Sequence, residues 1–172
     1  MLLKIVQVGT PVLRGGTRLL SPAEIKSAEI QQLIEHMRET MREAPGVGLA
    51  APQIGLPLRL AVIEDVVQSP EKERTPVPFH VIINPHISLG AGLVEHFEGC
   101  LSLDGFQAVV PRAQTVTVDA LDHNGAPVKI ETGGWYARIL QHEIDHLDGA
   151  LYIDRMHTRT FTTNRNLAQL LA

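Results

Sequence analysis

The amino-acid sequence predicts an α+β fold, in which mainly antiparallel strands pack around a late helix and another helix lies near the N-terminus. Apolar residues recur at helical spacing only early and late in the chain, and short β-branched runs lie between these regions. No alternation of strands and helices indicates βαβ units. The length of 172 residues and the lack of a visible boundary predict a single domain over 1–172.

The first helix is predicted from about Ser21 to Glu43. The residues Ser21-Pro22-Ala23-Glu24 have the pattern of a capping box with proline at the first helical position, and Ser27 offers a second start. The apolar residues at helical spacing form its predicted buried stripe: Ile30, Leu33, Ile34, Met37 and Met41. The glycines and prolines of residues 44–55 cannot continue the helix.

Five short runs rich in β-branched residues predict strands: Leu58–Val62, His80–Ile83, Leu93–Phe97, Thr115–Ala120 and Val128–Glu131. Asn124-Gly125 predicts a hairpin between the last two. The second helix is predicted from Gly134 or Trp135 to about Asp148, with Gly149 as its C-terminal cap.

The composition excludes several classes of protein. Hydrophobic residues make up 44% of the sequence, which argues against disorder, and the net charge of −4 argues against a nucleic-acid binder. No apolar run approaches the roughly 18 residues of a membrane span, and the start lacks the apolar run of a signal peptide. A lone cysteine, Cys100, cannot form an intrachain disulfide and favours a reducing compartment.

The late helix carries the stretch QHEIDH, which contains the pattern H-E-x-x-H. His142 and His146 are one helical turn apart and face the same way, so both imidazoles can bind one metal ion. Glu143 lies beside them as a candidate general base for a metal-bound water. A catalytic metal usually has three protein ligands, and this stretch supplies two.

The third ligand is difficult to find downstream. Tyr152 stands where one metalloprotease class has its third histidine, no glutamate follows His146, and His157 is a weak candidate. Upstream, Cys100 lies among glycines after a predicted strand, and a thiolate with two imidazoles forms a reasonable open tetrahedral site. A lone cysteine is often only a small buried hydrophobe, but we favour coordination because the helix lacks a third ligand.

The stretch GVGLAAPQ, residues 46–53, is a third candidate. Its two glycines allow close approach of the backbone to a ligand, and the amide of Gln53 could donate to a developing oxyanion. Alternatively, the stretch is a turn of small residues packed against the sheet.

Together the three stretches resemble the peptide deformylase family. Its members show G-φ-G-φ-A-A-x-Q, E-G-C-φ-S and Q-H-E-φ-D-H, with φ apolar. This sequence has GVGLAAPQ at 46–53, EGCLS at 98–102 and QHEIDH at 141–146, in the same order. The resemblance covers about residues 3–160. It implies the peptide deformylase fold in a single catalytic domain and removal of the N-formyl group from the formyl-methionine that begins new polypeptides.

The resemblance also implies roles for individual residues. Cys100, His142 and His146 would bind one divalent metal per chain, natively Fe²⁺, with Zn²⁺ or Ni²⁺ able to occupy the site. Glu143 would act as general base, then acid. Two donors would hold the oxyanion: the Gln53 side chain and the backbone N–H of Leu101. The substrate-binding residues would be Gly46, Val47, Gly48 and Trp135, with Gly48 meeting the peptide backbone as an added strand would.

Supporting contacts, partners and compartment follow from the same resemblance. Arg112 is expected to pair with Asp145, for which a solvated or salt-bridged surface group is the alternative. Glu98 is expected to hydrogen-bond a metal ligand, with an ordinary charge at a strand end as the alternative. The implied partners are N-formylmethionyl peptides and, transiently, the ribosome, without nucleic-acid readout or membrane association. The bacterial cytoplasm is the expected compartment, with an organellar matrix or stroma as the alternative, and the closing residues RMHTRTFTTNRN are closer to the organellar-type branch.

Three residues depart from the family pattern. Asp104 stands where many members have proline, Gln107 where many bacterial members have arginine, and Arg138 where an apolar residue is common. We expect these changes to alter substrate preference rather than the reaction.

Two other functions remain open from the residues alone. An H-E-x-x-H zinc endopeptidase is disfavoured by the poor downstream ligands. A binding module with a structural metal is disfavoured by Glu143, because a structural site needs no base beside its ligands.

Overall fold

The computed structural model describes residues 1–171 as an α+β fold with two antiparallel sheets, which confirms the predicted fold class. The helices are α1 (Pro22–Ile25), α2 (Ala28–Glu43), α3 (Gly134–Leu147) and α4 (Asn164–Leu170). The strands are β1 (Gly48–Ala50), β2 (Leu60–Asp65), β3 (Val77–Leu89), β4 (Leu93–Cys100), β5 (Leu103–Ala113), β6 (Thr115–Leu121), β7 (Pro127–Gly133) and β8 (Thr162–Thr163). The five-stranded sheet has the order β1-β2-β3-β6-β7, and the three-stranded sheet has the order β4-β5-β8.

The predicted first helix is in fact two helices. Ser21 forms the expected capping box, accepting from the N–H of Glu24 while the Glu24 carboxylate accepts from the N–H of Ser21. The Ser27 hydroxyl then donates to the carbonyl of Glu24 and accepts from the N–H of Ile30. This local side-chain bonding ends α1 and caps α2, because it gives the backbone an alternative to a continuous helix.

The five-stranded sheet is covered by a helix on each face. On one face, Leu60 and Val62 of β2 pack with the buried stripe of α2. On the other face, Ala61 and Ile63 pack against α3. Successive side chains of a strand point to opposite faces, so a strand covered on both sides is apolar throughout. Within the predicted stripe of α2, Ile30, Ile34, Met37 and Met41 are buried, whereas Leu33 is half-buried.

The predicted strand runs lie in or overlap observed strands, but the observed strands are generally longer and three were not predicted. β5 contains Gly105 and Pro111, which are unusual in strands, and it forms because Leu103 and residues 107–113 pair with β4. Gly105 lies between these paired parts, with a left-handed φ of 86°. β1 is short and begins with Gly48, and the two-residue β8 pairs with β5 at Phe106 and Gln107. Their pairing comes from distant partners rather than from a local pattern.

The hairpin and the late helix follow the predictions. β6 pairs with β7, and Gly125 has a left-handed φ of 80° in the connecting turn. α3 ends at Leu147, and Gly149 follows with a φ of 78°, the conformation expected of a C-terminal cap. Within residues 1–171, no helix combines the length and apolar character required to cross a membrane.

Candidate metal centre

Three potential metal ligands converge between α3 and the β4–β5 hairpin. Cys100 ends β4 at the point where the pairing with β5 shifts register, and His142 and His146 project from α3. The Sγ of Cys100 is 3.2 Å from the Nε2 of His146, which is 3.2 Å from the Nε2 of His142. All three ligand atoms lie within 4.8 Å of one another. The weaker candidate His157 instead contacts Glu95, at 2.7 Å.

The donor set suits a divalent metal. Tetrahedral nitrogen and sulfur ligands at about 2.0–2.3 Å from an ion are separated from each other by about 3.3–3.6 Å, close to the separations observed here. The Nδ1 of His142 lies 2.5 Å from Glu98 Oε1, which accepts a hydrogen bond from the Nδ1–H. In the neutral imidazole this leaves the Nε2 lone pair of His142 directed at the other two donors.

The pKa shifts of the two histidines also favour a bound cation. Burial, together with the neighbouring His142, lowers the pKa of His146 well below its ordinary value, which keeps a neutral imidazole available as a ligand. For His142, burial acts to lower the pKa, but hydrogen bonds with Cys100 and Glu98 outweigh it and raise the pKa well above its ordinary value. The surroundings of His142 therefore favour a positive charge, which a cation among the three donors would supply.

A buried network of charged groups holds His142 in place through its Nδ1 atom. Burial acts to raise the pKa of Glu98, but hydrogen bonds with His142 and Arg112 hold it well below its usual range. Arg112 binds both oxygens of Glu98 and also Asp145, at 2.5 Å. The predicted pair of Arg112 with Asp145 is thus present. The alternative of a solvated Asp145 is wrong, because Asp145 is buried and also binds Arg155.

Glu143 is a buried carboxyl group beside the three donors. Only 3% of its surface is exposed, and its Oε2 has no hydrogen-bond partner among residues 1–171. Burial raises the pKa of Glu143 to about 7. The other oxygen packs against Gly48, where a Cβ atom would lie 2.2 Å from Oε1. The glycine of β1 therefore makes room for the carboxyl group.

Gln53 reaches the centre from the turn after β1. Its Oε1 accepts from the N–H of Ala50, which directs its Nε2 towards Ser102 Oγ at 3.2 Å and Cys100 Sγ at 3.6 Å. Sequence reasoning gave no role to Ser102, although it lies in the EGCLS motif. It is fully buried, and its N–H contacts the sulfur of Cys100 at 3.4 Å.

A cavity of about 420 Å³ opens beside the three donors. It is lined by all four predicted substrate-binding residues, Gly46, Val47, Gly48 and Trp135, and by Gln53, Leu101, His142 and Glu143. The departures Asp104, Gln107 and Arg138 also line it. β1 is the outermost strand of its sheet, with Gly48 paired to Ile63 on one side only. An outermost strand can accept a further extended peptide.

Comparisons with known proteins agree with this geometry. The family model described as Polypeptide deformylase matches residues 2–161. The chain is 50% identical to "Peptide deformylase 1A, chloroplastic" of Solanum lycopersicum, covering 98% of this chain and 64% of that protein. It is 46% identical to "Peptide deformylase 3" of Streptomyces avermitilis, covering 96% of this chain and 76% of that protein. The crystal structure of a class I type b peptide deformylase from Acinetobacter baumannii with Met-Ala-Ser bound superposes with a TM-score of 0.84, at 32% identity over 91% of this chain and 99% of the other.

Proposed function

The chain belongs to the polypeptide deformylase family, a family of metal-dependent hydrolases that remove formyl groups from nascent peptides, and on this basis we propose that it hydrolyses the N-formyl group of polypeptides that begin with formyl-methionine. The observation that carries the proposal is the convergence of Cys100, His142 and His146 beside the buried Glu143, at a cavity that the outermost strand β1 also lines. The fold would act as a single catalytic domain over 1–172.

Cys100, His142 and His146 would hold one divalent cation, Fe²⁺ in the native protein, with Zn²⁺ or Ni²⁺ able to replace it. When bound, the cation acts as a Lewis acid that eases loss of a proton from water and polarises the formyl carbonyl group. The support for this assignment is the mixed sulfur and nitrogen donor set and the orientation of His142 by Glu98.

Glu143 would move the proton in the reaction. Its unpartnered Oε2 faces no competing donor among residues 1–171, so it is free to accept a proton from the attacking water. The oxygen of that water bonds to the formyl carbon, and the bond from this carbon to the α-nitrogen of the methionine breaks. Glu143 then returns the proton to the leaving amine, which yields formate and a free N-terminus.

Two groups would stabilise the oxyanion that develops on the formyl oxygen. The Nε2 of Gln53 is held beside Cys100 by the bond from Ala50 to Oε1, so the amide group is already positioned next to the three donors. The backbone N–H of Leu101 is the second proposed donor, in the turn that directly follows Cys100.

The substrate would lie as an added strand along β1, with its backbone against Gly46 and Gly48. Its methionine side chain would enter the cavity between Val47 and Trp135. The Acinetobacter protein binds Met-Ala-Ser in its crystal structure, and we assign the same class of peptide to this chain by similarity. Contact with the ribosome would be transient.

The relatives include bacterial and chloroplastic proteins. We place this chain in the bacterial cytoplasm, with an organellar matrix or stroma as the alternative. A reducing cytoplasm would keep Cys100 as a free thiol able to bind metal.

The direct test is release of formate from formyl-Met-Ala-Ser by protein purified without oxygen, together with metal analysis. We expect formate release with about one metal ion per chain. Glu143→Ala should retain the metal and lose activity by about 10²- to 10⁴-fold, the usual contribution of a positioned base. Cys100→Ala should lose the metal, whereas an endopeptidase with only helix-borne ligands would keep it. Metal-loaded protein that releases no formate, or a fully active Glu143→Ala variant, would refute the proposal.

A further inference from the structure

Arg138 lies one helical turn before His142 on α3, and only 4% of its surface is exposed. Its NH1 donates to Glu98 Oε2 at 2.9 Å and to the carbonyl of Val110 at 2.9 Å. Its NH2 donates to the carbonyl of Val94 at 2.6 Å. A buried arginine with this many partners has a fixed position, because leaving any of its donors unpaired would be costly.

The partners of Arg138 belong to both strands of one hairpin. Val94 lies in β4, which also carries Glu98 and ends at Cys100, whereas Val110 lies in β5. Arg138 itself lies on the helix that carries the two histidine ligands. One side chain therefore joins the two elements whose separation determines whether the sulfur and the imidazole nitrogens can reach the same ion.

Arg138 also completes the binding of Glu98. Oε1 of Glu98 accepts from His142 Nδ1 and from Arg112 NH2, while Oε2 accepts from Arg112 Nε and from Arg138. The charge of Arg112 is shared with Asp145. In the part of the chain that the structure describes, Glu98 is the carboxylate paired with Arg138.

We propose that Arg138 is a positioning residue for the metal centre, which holds Glu98 against His142 and fixes α3 at the correct distance from the β4–β5 hairpin. This inference deepens the proposed function and rests on the metal site assigned there. It also revises the expectation from the sequence that Arg138 alters substrate preference. Arg138 lines the cavity, but its donors are directed to Glu98 and to two backbone carbonyls, and the Trp135 ring lies 5.7 Å from its guanidinium carbon.

Arg59 provides a matched control. It is also a poorly exposed arginine, at 18%, and it donates to the carbonyl of Pro85 and to Asp148 Oδ1 at the end of α3. It therefore anchors the other end of the same helix to the five-stranded sheet without touching Glu98. Loss of Arg59 tests whether any loosening of α3 is enough to disturb the metal ligands.

The experiment measures Co²⁺ affinity by competition with a chelator, and the visible spectrum of the Co²⁺ form, for the unsubstituted protein and for Arg138→Leu, Arg138→Lys and Arg59→Leu. We expect Arg138→Leu to bind Co²⁺ about 10- to 100-fold more weakly and with an altered spectrum, as found for groups that orient metal ligands. The Co²⁺ affinity of Arg138→Lys should lie between those of the unsubstituted protein and Arg138→Leu, because lysine keeps the charge without the forked geometry.

The KM of the Arg138 variants for formyl-Met-Ala-Ser should change less than their kcat. Arg59→Leu should lower the midpoint of unfolding and leave the Co²⁺ affinity within about twofold, because it lies outside the Glu98 network.

Unchanged Co²⁺ binding by Arg138→Leu, with a raised KM, would assign the residue to the substrate and overturn the inference. An equal loss of affinity in Arg59→Leu would also overturn it, by showing a general loosening of the helix. If Arg138→Leu does not fold, Arg138→Lys decides, and an affinity equal to that of the unsubstituted protein overturns the inference. Failure of the unsubstituted protein to bind Co²⁺ would refute the metal site itself, and with it both proposals.

Discussion

At the scale of single residues, Gly48 shows how one missing side chain makes room for the proposed chemistry. A Cβ atom at this position would lie 2.2 Å from Oε1 and 2.5 Å from Cδ of Glu143. Both groups are held firmly, because Gly48 is paired with β2 and Glu143 is buried on α3. Neither the strand nor the carboxyl group can give way without a change in the site.

Gly48→Ala should therefore displace the Glu143 carboxyl group and lower formate release by about 100-fold, the usual cost of moving a catalytic group by about 1 Å. Metal content should remain near one ion per chain, because the three atoms nearest to the added Cβ all belong to Glu143, which is not a metal donor. Gly16→Ala is the control, since nothing lies within 4 Å of its added Cβ and Gly16 is outside the proposed site. Equal losses in the two variants would contradict the role assigned to Gly48.

The residues at the centre differ in how far the sequence could predict them. His142, Glu143 and His146 follow from spacing on one helix, and Cys100 from the lack of a third ligand downstream. Arg138 precedes His142 by four residues, and this spacing could have placed it on the ligand face. Its partner Glu98 is 40 residues away on β4, and that contact depends on tertiary packing that no local pattern encodes.

At the scale of elements, local signals predicted the ends of α3 and the β6–β7 hairpin, because caps and turns are determined by neighbouring residues. The same signals missed β5, whose Pro111 is tolerated through its pairing with β4 and whose Gly105 lies where that pairing is interrupted. They also left open the boundary between α1 and α2, since Ser21 and Ser27 are both competent caps and the structure uses both.

The end of α3 offers a test of stability that does not involve the proposed site. Gly149 has a φ of 78°, and a Cβ there would meet the carbonyl oxygens of Arg14 at 2.8 Å and Gly15 at 2.9 Å. Gly149→Ala should lower the free energy of unfolding by about 2–4 kcal/mol, combining left-handed strain with overpacking. Gly55→Ala isolates the strain, because Gly55 has a φ of 86° with nothing within 4 Å of its Cβ, and should cost about 1–2 kcal/mol. Urea denaturation of both variants measures the difference, and equal losses would exclude the steric contribution.

At the scale of the whole molecule, the proposed metal centre lies between the three-stranded sheet and the helix that packs against the five-stranded sheet. Cys100 belongs to the three-stranded sheet, whereas His142 and His146 lie on the helix that packs against the five-stranded sheet. The charged network of Glu98, Arg112, Arg138 and Asp145 spans the same junction. A metal held by both parts would act as a crosslink between them, and its binding free energy would add to the stability of the folded chain.

Removal of the metal should therefore lower the midpoint of thermal unfolding. A ligand at 100 times its dissociation constant stabilises the folded state by about 2.7 kcal/mol. For a chain of this size that corresponds to a shift of roughly 5–10 °C. Scanning calorimetry of the Co²⁺-loaded and chelator-treated protein measures the shift.

Two variants test the origin of this shift. Glu143→Ala should keep it, because Glu143 is not one of the three donors. Cys100→Ala should lose most of it, because the link to the three-stranded sheet is then absent. A shift that persists unchanged in Cys100→Ala would mean that the metal is held by α3 alone, and the proposed crosslink between the two sheets would be wrong.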